Sequence, residues 1–202
     1  VPIRSSEPIP RPGELESDCK LTMTRDGRFY RCVSQPSPAR DNQASAERVV
    51  AIDPGVGTFA TCYDPSGSVV EFGAGDIGRI HRLCAHADQM VSRIAKAPRK
   101  RRYRMRKALW RTNERVRNLV ADLHWKLARF LCDNYTTIVL PEFETQRMAR
   151  RSTHRIGSRS VRAMVTWSHY SFRQRLPSKA EEYGGKGESG ALRRRRVESV
   201  GH

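Results

Sequence analysis

Hydrophobic positions along this chain fall into three kinds of run. Short β-branched runs stand at Val49–Ile52 and Thr136–Leu140, alternating runs flank Asp64-Pro-Ser-Gly67, and between Asp76 and Asn134 apolar residues recur at spacings of three and four. The first run is nearly continuous and predicts a central strand buried on both faces, ending on Asp53 where Pro54, Gly55 and Gly57 stop helix formation. Thr58–Tyr63 and Ser68–Phe72 around the Asp-Pro-Ser-Gly turn predict an antiparallel hairpin continuing that strand. Asp76 suits a helix N-cap, followed by Ile80, Leu83, Ala87, Met90 and Ile94 on one face. Pro98 interrupts this helix. A second stripe, Val116, Leu119, Val120, Leu123, Leu127, Phe130 and Leu131, closes near Asn134, so a helical hairpin leads into the Thr136–Leu140 strand. Strand, helical crossover, strand predicts parallel pairing with the Asp53 strand, and hence an α/β fold. A later stripe from Ser160 to about Tyr183 predicts one helix, kinked or interrupted at Pro177.

Asp53 is the first chemical anchor. Asp before Pro-Gly is also an ordinary turn opener. A carboxylate at the end of a buried strand, however, is costly unless paired, and a divalent cation beside an open glycine-rich loop is one solution. Glu142 and Glu144 follow the second strand. Carboxylates leaving the ends of neighbouring parallel strands can share metal ions that activate water and stabilise a departing oxygen.

Charge narrows the partner. The 202 residues carry a net +17 with 38% hydrophobic residues, which fits a polar globular chain with a polyanionic partner, nucleic acid first. The basic run is Arg99, Lys100, Arg101, Arg102, Arg104, Arg106 and Lys107, continued by Arg111, Arg115 and Arg117. It reads either as a phosphate-binding surface, with Tyr103 and Trp110 able to stack on bases, or as a solvated face or nuclear-localisation signal. Arg147–Arg162, which includes Arg150, Arg151 and Arg155, reads as an arginine-rich loop tracking nucleic acid. No run reaches the length of a membrane span. Cys19, Cys32, Cys62, Cys84 and Cys132 show no C-x-x-C pairing, which suggests reduced, intracellular usage. Cys19 and Cys32 flank a predicted hairpin, Cys19–Thr24 and Phe29–Ser34, and read as two core thiols rather than a disulfide. His81, Cys84 and His86 do not share one helical face, so no zinc site is expected.

Ala51-Ile-Asp-Pro-Gly-Val-Gly-Thr-Phe59, Tyr63-Asp-Pro-Ser-Gly67, Ile138-Val-Leu-Pro-Glu-Phe-Glu-Thr145 with Met148, Phe172-Arg-Gln-Arg-Leu176 and Lys179-Ala-Glu-Glu-Tyr-Gly184 together resemble the TnpB family, above all its eukaryotic and viral Fanzor branch. The resemblance covers about residues 47–184. It implies a RuvC-like, RNase H-like nuclease core, encoded by a transposable element and acting on DNA with a guide RNA and Mg2+ or Mn2+. Asp53 matches the first catalytic and metal-binding carboxylate. The second is Glu142, displaced by one residue because Pro141 occupies its usual place, or Glu182 (with Glu181 beside it) on the later helix; Glu144 reads as an exposed polar residue. The family's zinc ribbon and third catalytic Asp have no counterpart after Gly184. The resemblance therefore implies three regions: 1–46, an irregular N-terminus with a hairpin remnant of a nucleic-acid-binding domain and a linker; 47–184, the nuclease core with a helical insertion at about 76–134; and 185–202, an irregular basic tail without a strand. Expected consequences are an exposed edge on the Thr136–Leu140 strand, a C-terminally truncated copy with little or no cleavage, and a location in the nucleus if the host is eukaryotic. A binding-only protein and an unstable product remain the alternatives.

Overall fold

The computed structural model describes residues 18–25, 27–34, 48–141 and 157–183, the isolated residues 8, 11 and 13, and the backbone of 196–200. The chain divides into two units, Val1–Pro38 and Ala39–His202. In the first, β1 (Lys20–Met23) pairs antiparallel with β2 (Phe29–Cys32), with Leu21 opposite Arg31 and Met23 opposite Phe29. The predicted hairpin is there, but Cys32 is exposed rather than a core thiol. A two-stranded ribbon has no second layer in which to bury it.

The second unit is built on a mixed sheet. β3 (Val49–Pro54) pairs antiparallel with β4 (Ala60–Tyr63), which pairs antiparallel with β5 (Val69–Phe72). The turn between β4 and β5 is closed by Ser68 O accepting from Asp64 N, while Asp64 Oδ1 accepts from Ser66 N at 2.9 Å. On its other side β3 pairs parallel with β6 (Thr137–Pro141), Val49 beside Thr137 and Ala51 beside Val139. β6 in turn pairs parallel with β7 (Arg196–Val200), giving the order β5-β4-β3-β6-β7. The expectation of a strandless tail and an exposed β6 edge is thus corrected. Val197 and Val200 sit in a short segment that the arginine run obscures in the sequence, and the unpaired backbone of β6 supplies the template for pairing.

Between β5 and β6 run α1 (Asp76–Lys96) and α2 (Arg99–Asn134), joined only by Ala97 and Pro98. The residue capping α1 is Gly75, in the left-handed conformation, and Asp76 is the first helical residue. The basic run is no connector. It forms the opening turns of α2, whose 36 residues span about 54 Å. The C-terminal half of α2 buries Val120, His124, Leu127, Ala128 and Leu131 against the sheet, each large apolar side chain contributing about 1.5–3 kcal/mol by leaving water. After residue 156 come α3 (Ser158–Trp167) and α4 (His169–Tyr183). The predicted single helix breaks at Ser168, at φ 51°, and not at Pro177, which lies inside α4. Helix also replaces the C-terminal end of the predicted arginine-rich loop.

One face of the sheet is covered by these helices: Val50, Ile52, Ala60, Cys62, Ile138 and Leu140 are buried. The other face is open among the described residues, with Val49, Ala51 and Asp53 of β3 exposed in strict alternation with Val50, Ile52 and Pro54. This corrects the prediction of a strand buried on both faces. Val49 and Ala51 extend the β-branched and small-residue run without being covered.

Candidate functional site

Asp53 stands at the carboxyl end of the central strand, on the open face, level with Thr61 of β4. Beyond Thr61 the same row continues to Glu71 of β5, a carboxylate that the turn-based reading passed over. Asp53 is exposed and its side chain has no hydrogen-bond or ion-pair partner among the described residues. It is therefore not the buried carboxylate that the sequence implied, and its charge needs no ion to offset burial. It remains an accessible hard oxygen donor. The offset that sets Val49 beside Thr137 carries Asp53 level with Pro141, where the family resemblance had placed a proline instead of Glu.

The loop after Asp53 is held in detail. Gly55 N donates to Phe59 O at 3.1 Å, and a Cβ on Gly55 would lie 2.5 Å from Thr58 O, so this position accepts only glycine without a backbone shift. Trp167 Nε1 donates to Val56 O at 2.9 Å, and His169 Nε2 donates to Gly55 O at 3.1 Å. The Phe59 ring lies between two imidazoles, 4.7 Å from His169 and 4.8 Å from His124. His124 is fully buried; its Nε2 donates to Trp167 O at 2.8 Å and its Nδ1 accepts from Arg175 at 3.0 Å, which fixes the neutral tautomer. Burial pulls both imidazoles down to about 4. In the sequence Phe59 and Phe172 stand only inside the motifs that carry the family resemblance, and Trp167 only inside the predicted helix from Ser160 to about Tyr183; the histidines carry no spacing signal of their own.

Glu182 is elsewhere. It pairs with Lys179 on the same helix. The N-terminal end of α4 touches Gly55 through His169, and Glu182 lies 13 residues further on, about 20 Å along the helix axis. Neither it nor Glu181 is brought to Asp53. Glu142, Glu144, Arg150, Arg151 and Arg155 lie outside the described residues. No group of three or more His, Cys, Asp or Glu side chains able to hold a metal ion occurs among the described residues.

The basic residues divide into two sets. Arg102 folds back onto the end of α1, its Nε donating to Ala97 O at 2.7 Å and an Nη to Ala95 O at 3.4 Å. There it satisfies carbonyls that the helix end leaves without partners, as cations at helix C-termini do. Lys107 lies over the Tyr103 ring at 5.8 Å. Arg99, Lys100, Arg101, Arg104, Arg106 and Arg111 are exposed, with no ion-pair partner among the described residues. On the neighbouring helices Arg162 is committed to Asp88, whose carboxyl it holds below the usual range through its hydrogen bonds, and Arg159 donates to His81 Nδ1 at 3.3 Å. No helix among the described residues is long and apolar enough to cross a membrane.

The described residues thus form an α/β fold with a mixed five-stranded sheet, a carboxylate at the end of its central strand and a long cationic helix. The model of the OrfB_IS605 family, described as "Probable transposase", matches residues 29–152, more than half of the chain, and the chain belongs to that family. It is similar to the "Putative transposase" of Paramecium bursaria Chlorella virus 1, with 28% identity over 180 residues that cover 87% of this chain and 40% of that protein. A "Putative transposase" of Acanthamoeba polyphaga mimivirus is 29% identical over 66% of this chain and 28% of its own length, and a "TnpB-like protein" of the same virus 23% identical over 66% and 26%. The protein is thus TnpB-like and transposon-encoded. It spans less than half the length of these curated relatives.

Proposed function

We propose that this chain carries the RNase H-like, RuvC-like core of a TnpB- or Fanzor-like DNA endonuclease directed by a guide RNA. The observation that supports the reading best is the strand order, three antiparallel strands followed by two parallel ones, with Asp53 ending the central strand. Asp53 supplies a carboxylate oxygen of the kind that Mg2+ or Mn2+ prefers, and Glu142, which follows β6 in the sequence, is the second ligand in this reading. A divalent ion held there supplies a Lewis acid for activating water and stabilising a departing phosphate oxygen. Asp53 binds and orients; the exposed arginines of α2 bind nucleic-acid phosphates. Among the described residues Asp53 belongs to no group of three or more side chains able to hold a metal ion. That observation favours a second reading, a nucleic-acid-binding protein with little or no cleavage of its own.

Mn2+ should raise the melting temperature of the chain, because a ligand that prefers the folded state stabilises it by mass action, and Asp53→Ala should abolish the rise. Mn2+-dependent nicking of DNA, lost in Asp53→Ala, supports the nuclease; intact DNA with salt-sensitive binding supports the second reading. An equal metal response in both proteins removes Asp53 from any metal site.

A further inference from the structure

The corner between α3 and α4 is built against the loop that follows Asp53. Ser168 turns the corner in the left-handed conformation, its carbonyl accepting from Ser171 N at 2.9 Å and Phe172 N at 3.2 Å to start α4. The residues on either side of it, Trp167 and His169, donate to two successive carbonyls, those of Val56 and Gly55. These hydrogen bonds join positions 111 and 114 residues apart. Any large apolar side chain would fill the same space, and Phe59 already stacks flat on His169 with an interplanar angle of 4°. The indole and imidazole N–H groups add hydrogen bonds to the loop backbone that an apolar side chain could not make. On its other side Asp53 is fixed by pairing with Thr61, so both the strand entering the loop and the loop itself are tied down.

We infer that Trp167 and His169 are positioning residues for Asp53: by pinning the carbonyls of Gly55 and Val56 they hold the strand end, and with it the carboxylate, in one place on an otherwise open sheet face. The inference rests on the reading of Asp53 as a metal ligand and adds to it the residues that set where the ligand stands. A donor carboxylate on an exposed strand end loses affinity for a cation if it must be ordered at the moment of binding, so a clamp two and three residues away acts through preorganisation.

The test uses the whole chain and three substitutions. His169→Phe keeps a ring against Phe59 and lacks the donor, Trp167→Phe removes the indole N–H, and His169→Gln keeps an amide donor. Amide hydrogen exchange is followed across 54–59, β5 and α1, and Mn2+ affinity is measured by electron paramagnetic resonance of the free ion. The first two variants should exchange roughly five- to tenfold faster at 54–59 with β5 and α1 unchanged, the size expected for losing one buried hydrogen bond that restrains a local opening. Their Mn2+ affinity should fall several-fold, and His169→Gln should restore both. Unchanged exchange at 54–59 in both variants, or an equal acceleration throughout the Ala39–His202 unit, overturns the inference. So does faster loop exchange with wild-type Mn2+ affinity when Asp53→Ala has lost that affinity. Asp53→Ala binding Mn2+ like the wild type instead overturns the reading of Asp53 as a ligand, and with it any need to position that residue.

Discussion

Acid should destabilise this domain well above the range in which carboxylates titrate, through His124. Its imidazole is fully buried between Phe59 and Phe172, and burial, opposed by the bond to Trp167 O and reinforced by the Arg175 charge, lowers its pKa from 6.5 to about 4. Below pH 6.5 the unfolded chain takes up a proton that the folded chain refuses, so stability present above that value is lost as pH falls towards 4 and is fully lost below it. The lowering from 6.5 to about 4, at about 1.4 kcal/mol per pH unit, sets a ceiling of about 3 kcal/mol, of which about 2 kcal/mol is gone by pH 5. That is a large part of a typical stability of about 5–15 kcal/mol. Urea unfolding followed by tryptophan fluorescence at pH 7.5 and pH 5 measures the loss. His124→Gln keeps an amide donor for the Trp167 carbonyl and an acceptor for Arg175 without titrating, so it should lose about 2 kcal/mol less than the wild type over the same interval, a midpoint difference of about 1 M urea. His169, lowered to about 4 by burial, adds a loss of the same sign in both proteins. Asp64, held at about 2 by hydrogen bonds from Ser66 and Arg48, titrates lower and leaves this window undisturbed. Equal losses in wild type and His124→Gln would refute the reasoning.

Gly55→Ala should lower the melting temperature by several degrees, since its Cβ would meet Thr58 O at 2.5 Å and overpacking costs about 1–3 kcal/mol, whereas Gly57→Ala, with open space around it, should change little in the same thermal scan. Leu131→Ala, at a fully buried position on the sheet side of α2, should cost about 2–5 kcal/mol in denaturant unfolding. Replacing Arg101, Arg104 and Arg106 by Ala should flatten the salt dependence of duplex DNA binding, by about 0.9 in slope for each phosphate that the variant no longer neutralises. Arg102→Ala should leave that slope unchanged and cost about 0.3–1 kcal/mol of stability, because its guanidinium caps α1.

Local patterning determined a good deal of this protein. The Asp53 strand, the hairpin around Asp64-Pro-Ser-Gly67, the helical hairpin and the parallel return at Thr136–Leu140 are all legible because alternation, turn chemistry and three-four spacing act over a few residues, and the length of the crossover dictates parallel pairing. Pairing partners beyond that were decided by tertiary structure. Val49 and Ala51 read as buried, but whether a β-branched run is covered on its second face depends on what other segments lie over it, which the run does not encode. β7 is a weak strand signal beside four arginines and forms against the waiting edge of β6. The break at Ser168 rather than Pro177 follows from hydrogen bonds across the fold, where Trp167 and His169 reach back to Val56 and Gly55. The candidate site shows the same division. Sequence could name Asp53, because a carboxylate before Pro-Gly at a strand end is a local pattern. Only the fold could separate it from Glu182, since the axis of α4 starts at the Asp53 loop and carries Glu182 away from it. Only the fold, too, could bring His124, Trp167 and His169 around its loop from positions that no spacing rule connects.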